Sequence, residues 1–432
     1  MIVFCVSIVL NLILVFLMPK ATKFRKLVLA CSVLINIALL LYYKYSSFAI
    51  ATIAGILGKE YEIKSIILPL GISFFTFQQI SFAIAIYKED IKNVNPMDYC
   101  CYILYFPKLL MGPLAEPVDF IEQINNKENK RIKWENIACG IKMFSFGLFK
   151  KLVLADTFSR GVSWGFSNQS SATAGDILLV MLFYTFEIYF DFSGYSDMAV
   201  GVSKMINIDL PMNFDSPYKA LTIRDFWKRW HKSLTGFLTK NVYYSLGGNR
   251  KGKARTYINI MLVFLISGIW HGANWTFVLW GCLHGIFQII ERLLNKQFNK
   301  LHSAVQWIYT FFVVNILWLL FRAESITQWM QMLGKMFSFS NMAISGKLIK
   351  TFSLPETQFI IDKLDFLGLN NYVRGLPMLF ITAFAFFICL IPENNYNNRN
   401  KLSIVNMFLC AIAFVWSFLC LSSESVFVYF NF

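Results

Sequence analysis

"SGIWHGANWTFVLWGCLHG", residues 267 to 285, places two of the chain's four histidines inside a run of Trp, Phe, Ile and Leu. Apolar sequence of this density is bound for a lipid bilayer, where an ionisable side chain is costly and faces protein or a water-filled cavity. The flanking sequence agrees. Hydrophobic residues make up 56% of the 432 and charged residues only 15%, against roughly 45–50% and 25% in soluble domains; the mean hydropathy is +0.53.

Working outward, apolar runs near the roughly 20-residue bilayer length lie at Ile2–Met18, Leu27–Tyr43, Ile66–Tyr87, Ile177–Phe192, Tyr257–Trp275, Phe277–Leu293, Trp307–Phe321, Leu376–Ile391 and Val405–Leu421. Weaker runs are Phe48–Leu57, Tyr99–Leu114 and Cys139–Ala155. These runs lack the short alternation of a transmembrane barrel, so the expectation is an all-α, polytopic membrane protein with about nine to eleven embedded helices. Ile2–Met18 reads as a retained membrane helix, since no charged n-region or cleavage signature accompanies it.

The charge balance, 40 Lys+Arg against 25 Asp+Glu for a net +15, sits in short connectors. "PKATKFRK" (19–26), "KENKRIK" (127–133), "NRKGKAR" (249–255) and "ERLLNKQFNK" (291–300) read as cytoplasmic loops under the positive-inside rule. With no soluble domain to present a basic surface, nucleic-acid binding is excluded. The nine cysteines fall mostly in apolar runs without a C-x-x-C pair, and read as small buried hydrophobes. No linker or repeat divides the chain, which is taken as one membrane domain, 1–432.

Glu187 to Gly285 concentrates the polar residues. "YTFEIYFDFSGYSDMAVG" (184–201) carries Glu187, Asp191 and Asp197, which suit helix caps or hydrogen bonds to neighbouring tyrosines as readily as a pocket. In "SPYKALTIRDFWKRWHKSLTGFLTK" (216–240), too charged to span, Arg224, Trp227 and His231 share a face if helical, with Thr222 as N-cap. Beyond it, His271, Asn274 and Trp275 lie at i, i+3 and i+4. His284, thirteen residues past His271, points roughly 140° away on a continuous helix. The two meet only if the helix breaks, at Gly281 or within Ala273–Trp275.

Missing parts exclude several chemistries. There is no H-E-x-x-H helix and no histidine pattern for a metal site, and no G-x-S-x-G elbow. Gly247-x4-Gly252-Lys253 nearly spells a P-loop, but Ala254 replaces its Ser/Thr and no strand precedes it. Arg250, Lys251 and Lys253 there suit either a positive-inside loop or the phosphates of coenzyme A. A histidine with amide and indole neighbours fits acyl transfer from a thioester, which needs a general base on the acceptor hydroxyl and donors for the oxyanion.

These residues resemble the membrane-bound O-acyltransferase (MBOAT) family, in its bacterial alginate and peptidoglycan O-acetyltransferase branch. The likeness rests on "RDFWKRWHKSLTGFL" and "GIWHGANWTFVLWGCLHG", with "LPLGISFFTFQQ" (68–79), "FPKLLMGPL" (106–114), "FDFSGYSDMAVG" (190–201) and "LGGNRKG" (246–252), collinear over residues 68 to 285. It implies helices around a central funnel that carry an acyl group from a cytoplasmic thioester, acetyl-CoA, toward the outside. His271 is then catalytic and His231 its polar partner, while His284 is structural or pocket-lining. Asn274, Trp270, Trp275, Asp191, Arg224 and Trp227 are oxyanion or pocket candidates. The tail "SVFVYFNF" (425–432) is similar to the F-x-Y-x-x-F ending of acyl-accepting peptides in the D-alanylation system, which implies a relay through Tyr429; an interfacial aromatic anchor is the plainer reading. Lys108 and Glu116–Pro117 depart from the family pattern.

The expectation is therefore an O-acetyltransferase of the bacterial cytoplasmic membrane, working with an extracytoplasmic SGNH-type transferase or esterase on a cell-surface polysaccharide. Two alternatives stand beside it. One is a D-alanyl transferase fed by a carrier protein for teichoic acid; the other is a proton-coupled transporter using Glu187, Asp191, Asp197 and the histidines.

Overall fold

Lipid offers no partner for a backbone N–H or C=O, so the apolar runs close their hydrogen bonds internally as helices. The computed structural model describes residues 2–59, 66–353 and 375–422, and every regular element among them is helical. In chain order these are α1 (Ile2–Leu17), α2 (Arg25–Leu40), α3 (Ser46–Leu57), α4 (Ile72–Tyr87), α5 (Pro96–Leu104), α6 (Pro117–Asn125) and α7 (Trp134–Phe149). Then come α8 (Asp156–Ser167), α9 (Ala174–Met205), α10 (Ile223–Arg229), α11 (Lys232–Leu238), α12 (Gly252–His271) and α13 (Trp275–Leu293). The last are α14 (Asn295–Phe298), α15 (Ser303–Arg322), α16 (Ile326–Ser338), α17 (Gly346–Lys350), α18 (Leu376–Leu390) and α19 (Ile404–Leu419). Arg25–Leu57, Ala174–Met205 and Ser303–Arg322 are long and apolar enough to cross a membrane, and four shorter apolar helices accompany them.

The chain divides into two compact units, Met1–Phe144 with Met198–Met212 and Ser145–Asp197 with Asn213–Phe432. In the first, Asn11 joins three helices. Its amide donates to Gln79 Oε1 on α4 at 2.7 Å and accepts from Ser32 Oγ and Asn36 Nδ2 on α2, at 2.8 and 2.7 Å. Such bonds bind helices together where apolar burial gives no driving force, at an average of about 0.6 kcal/mol each. Lys108 is fully buried in the same unit. Its ammonium donates to Gln78 Oε1 at 2.9 Å and the Tyr102 carbonyl at 2.7 Å, and lies 3.6 Å from the Tyr102 ring centroid.

In the second unit α9 is the buried axis. Its most apolar window is 83% enclosed by protein, against 11% for Arg25–Leu57. The sequence pattern gives this span as Ile177–Phe192, yet the helix runs on to Met205, through Asp191 and Asp197. Both acids are neutralised by a π-helical segment, Lys150–Ala155, that follows α7. Lys151 Nζ lies 2.7 Å from Asp191 and 2.8 Å from Asp156, and Lys150 Nζ lies 2.7 Å from Asp197. A π turn re-aims successive residues of a helix, and here both lysines are buried.

The opening stretch forms a helical hairpin. Helix α12 stops at His271 and α13 starts at Trp275, the break falling at Gly272–Asn274. Gly268 and Gly281 set how closely the two helices pack, since a Cβ on Gly268 would strike the Phe277 carbonyl and one on Gly281 the Phe264 carbonyl. Small residues at a membrane helix contact serve this purpose.

Candidate active site

Three histidines and two tryptophans form one aromatic chain in the second unit. His271, at the end of α12, is buried with its ring centroid 4.8 Å from Trp270, 5.3 Å from Trp280 and 5.2 Å from Phe321. Trp280 lies in turn 4.6 Å from His284. On the other side, Trp270 lies 6.4 Å from His231. The order is thus His231, Trp270, His271, Trp280, His284. The break after His271 is what permits it, because the reversal of direction packs α13 back on α12, where Trp280 meets His271 and His284 follows four residues on along α13. The fourth histidine, His302, caps α15 by accepting from the Ala304 N–H at 3.2 Å.

His231 departs from the helical spacing read in the sequence. Helix α10 ends at Arg229, Trp230 is extended, and His231 has φ 44° and ψ 53° in the left-handed region. A non-glycine residue held there costs about 1–3 kcal/mol and persists only when its surroundings fix it. Here Asn213 Oδ1 sits 2.9 Å from His231 Nδ1, the Asn213 carbonyl accepts from Lys232 N at 2.8 Å, and Phe192 meets the ring edge-on at 4.7 Å. Arg224, Trp227 and His231 therefore do not share a helical face. Trp227 turns instead to α13, where its indole N–H donates to His284 Nδ1 at 3.1 Å.

Helix α10 is short and positioned from outside. Thr222 caps it as expected, its Oγ1 accepting from Asp225 N at 2.9 Å. The free N–H groups of Ile223 and Arg224 go to the Glu291 carboxylate of α13, at 2.8 and 3.2 Å. Two ends of this site are thereby tied together. A cavity of about 270 Å³ opens among α10, α11, α12 and α13, lined by apolar side chains such as Phe264 and Leu238 and by the cations Arg224, Lys228 and Arg292. Trp227 is part of its wall, so one indole touches both the cavity and the histidine chain.

Other expected site residues lie elsewhere. Asn274 is the N-cap of α13: its Oδ1 accepts from Thr276 N at 3.1 Å and its Nδ2 donates to the Glu324 carbonyl at 2.9 Å. Its amide is thus spent on structure, and the His271, Asn274, Trp275 face never forms because the helix stops at its first member. Trp275 is 52% exposed. Asp191 belongs to the Lys151 ion pair and not to the histidine chain. Arg250, Lys251 and Lys253 are exposed and do not line the cavity. Tyr429 lies outside the described residues. Asn213, Glu291 and the lysines of the π segment were not legible in the sequence; Trp280 had a signal, lying four residues before His284 on the same face of α13. Eighteen residues separate Asn213 from His231, and no helical or strand spacing connects them.

The family model for MBOAT, the membrane-bound O-acyltransferase family, matches residues 62–327, a range that holds all three clustered histidines. A peptidoglycan O-acetyltransferase of Helicobacter pylori is 34% identical over 96% of this chain and 84% of its own length. A probable alginate O-acetylase, AlgI, of Pseudomonas putida is 37% identical over 79% of this chain and 71% of its own. A teichoic acid D-alanyltransferase of Streptococcus thermophilus is more distant, at 28% over 54% and 60%. With more than half of the chain matched and the buried histidines inside the match, the protein belongs to the membrane-bound O-acyltransferase family.

Proposed function

We propose that this acyltransferase takes an acetyl group from acetyl-CoA on the cytoplasmic side and delivers it across the cytoplasmic membrane, through a funnel between the helices, for O-acetylation of a cell-surface polysaccharide. The observation that carries the reading is the contact, through Trp227, between a cation-bearing apolar cavity and a buried chain of histidines. Relatives named for O-acetylation of peptidoglycan and alginate supply the acyl group and the class of acceptor.

The cavity suits the donor's shape: apolar walls for the pantetheine arm, and Arg224, Lys228 and Arg292 for phosphates, in place of Arg250, Lys251 and Lys253. His271 is the general base. As the acceptor hydroxyl oxygen forms its bond to the thioester carbon, His271 takes the hydroxyl proton; the C–S bond breaks, and His271 returns that proton to the thiolate that leaves. His231 shares that proton as the second polar partner. Tyr429 is the proposed first acceptor, as a tyrosyl ester passed on to an extracytoplasmic SGNH-type transferase or esterase.

Purified protein in lipid vesicles, given acetyl-CoA radiolabelled in the acetyl group, tests this. Label is expected on the wild type, none on His271→Ala, and none on Tyr429→Phe. Label lost in His271→Ala but kept in Tyr429→Phe removes the relay and leaves the transfer. Label drawn only from a D-alanyl carrier protein, or proton-driven uptake without acyl product, overturns the acetyl reading.

A further inference from the structure

The two outer histidines of the chain are held by opposite kinds of partner. His231 Nδ1 faces an oxygen, Asn213 Oδ1, at 2.9 Å. That oxygen also accepts from Ser233 Oγ at 2.9 Å, while the amide nitrogen of Asn213 donates to Ser196 Oγ at 3.3 Å. A ring nitrogen opposite an acceptor must carry the hydrogen, so in the neutral ring the lone pair lies on Nε2. His284 is the reverse. The Trp227 indole can only donate, so His284 Nδ1 is the acceptor, and the ring hydrogen sits on Nε2. Both Nε2 atoms are buried, and neither has a hydrogen-bond partner among the described residues. The two residues are 1% and 0% exposed.

We propose that Asn213 and Trp227 are positioning residues that lock His231 and His284 in opposite tautomers, one offering a hydrogen-bond acceptor and the other a donor on either side of His271. The chemical consequence rests on the acyl-transfer reading. An acceptor at His231 suits the hydroxyl that receives the acyl group or the proton shared with His271; an N–H at His284 suits the thioester carbonyl as its oxygen gains charge. The tautomers themselves depend on the fold alone.

The test is solid-state NMR of full-length protein labelled with [15N]histidine, in lipid and without any acyl donor, where protonated and unprotonated ring nitrogens are distinguished directly. Four histidines give few signals, assigned by His→Gln variants. His231 is expected to be protonated at Nδ1 alone and His284 at Nε2 alone. In Asn213→Leu the His231 signals should split between two tautomers and kcat should fall, with donor KM unchanged because Asn213 does not line the cavity. Trp227→Phe should split His284 alone. Wild-type His231 protonated at Nε2, both rings in one tautomer, or an unchanged His231 signal in Asn213→Leu overturns the proposal. Because the spectra are taken on resting protein, an absence of acetyl transfer leaves this result standing and refutes only the reaction.

Discussion

Helix α9 touches two buried polar regions of different character. Toward the π segment it offers Asp191 and Asp197 to Lys151 and Lys150, full charges that neutralise each other at 2.7 Å. Toward His231 it offers Phe192 and, through Asn213, Ser196, and there Nε2 of His231 and of His284 has no hydrogen-bond partner among the described residues. Completed pairs hold helices together. Open valences in an aromatic, water-poor shell are what acid–base chemistry requires. Of the three acids that a transporter would use for a proton path, Asp191 and Asp197 are paired with lysines.

The largest effect that can break this contrast is on the reaction. His271→Ala should lower acetyl transfer by about 10²–10⁴-fold, the usual worth of a general base, while the protein still unfolds cooperatively in detergent. Retained activity would move the chemistry away from the aromatic chain. On the charged side the loss should be of stability. Lys150→Met strands Asp197 in the core and should cost about 3–5 kcal/mol, whereas Lys150→Met with Asp197→Leu should recover much of it; equal losses in both would show that the pair does more than neutralise itself.

Gly268→Val bears on the hairpin that brings His271 to Trp280. Overpacking there should cost about 1–3 kcal/mol and reduce transfer along with it, and normal activity would show that the close approach of α12 and α13 is dispensable. Smaller again is Asn274→Ala, expected to cost about 1 kcal/mol as a lost N-cap while transfer stays within a few-fold of wild type. A hundredfold fall in transfer would return Asn274 to the oxyanion. The smallest change should come from Lys251→Ala, a surface substitution within about 0.5 kcal/mol in stability and without effect on donor KM, in contrast to a raised KM in Arg292→Ala.

The sequence by itself determined the class of molecule and the segment that matters. Apolar runs longer than any soluble helix needs, and histidines inside one of them, follow from the cost of polar groups in lipid, which composition and spacing express directly. Thr222 as a cap was equally readable, because capping is local; helical phase left two places for a break, Gly281 or Ala273–Trp275, and Gly281 lies within α13. Tertiary structure alone decided which polar groups meet. Asn213 reaches His231 where that residue's own left-handed backbone ends the periodicity; Lys150 and Lys151 of the π segment reach Asp197 and Asp191 of α9; the hairpin sets Trp280 against His271; and the packing of α10 on α13 sets Trp227 against His284. A helical repeat fixes only where a side chain points from its own axis, so contacts between axes, and with them the tautomers of this site, are settled when the helices pack.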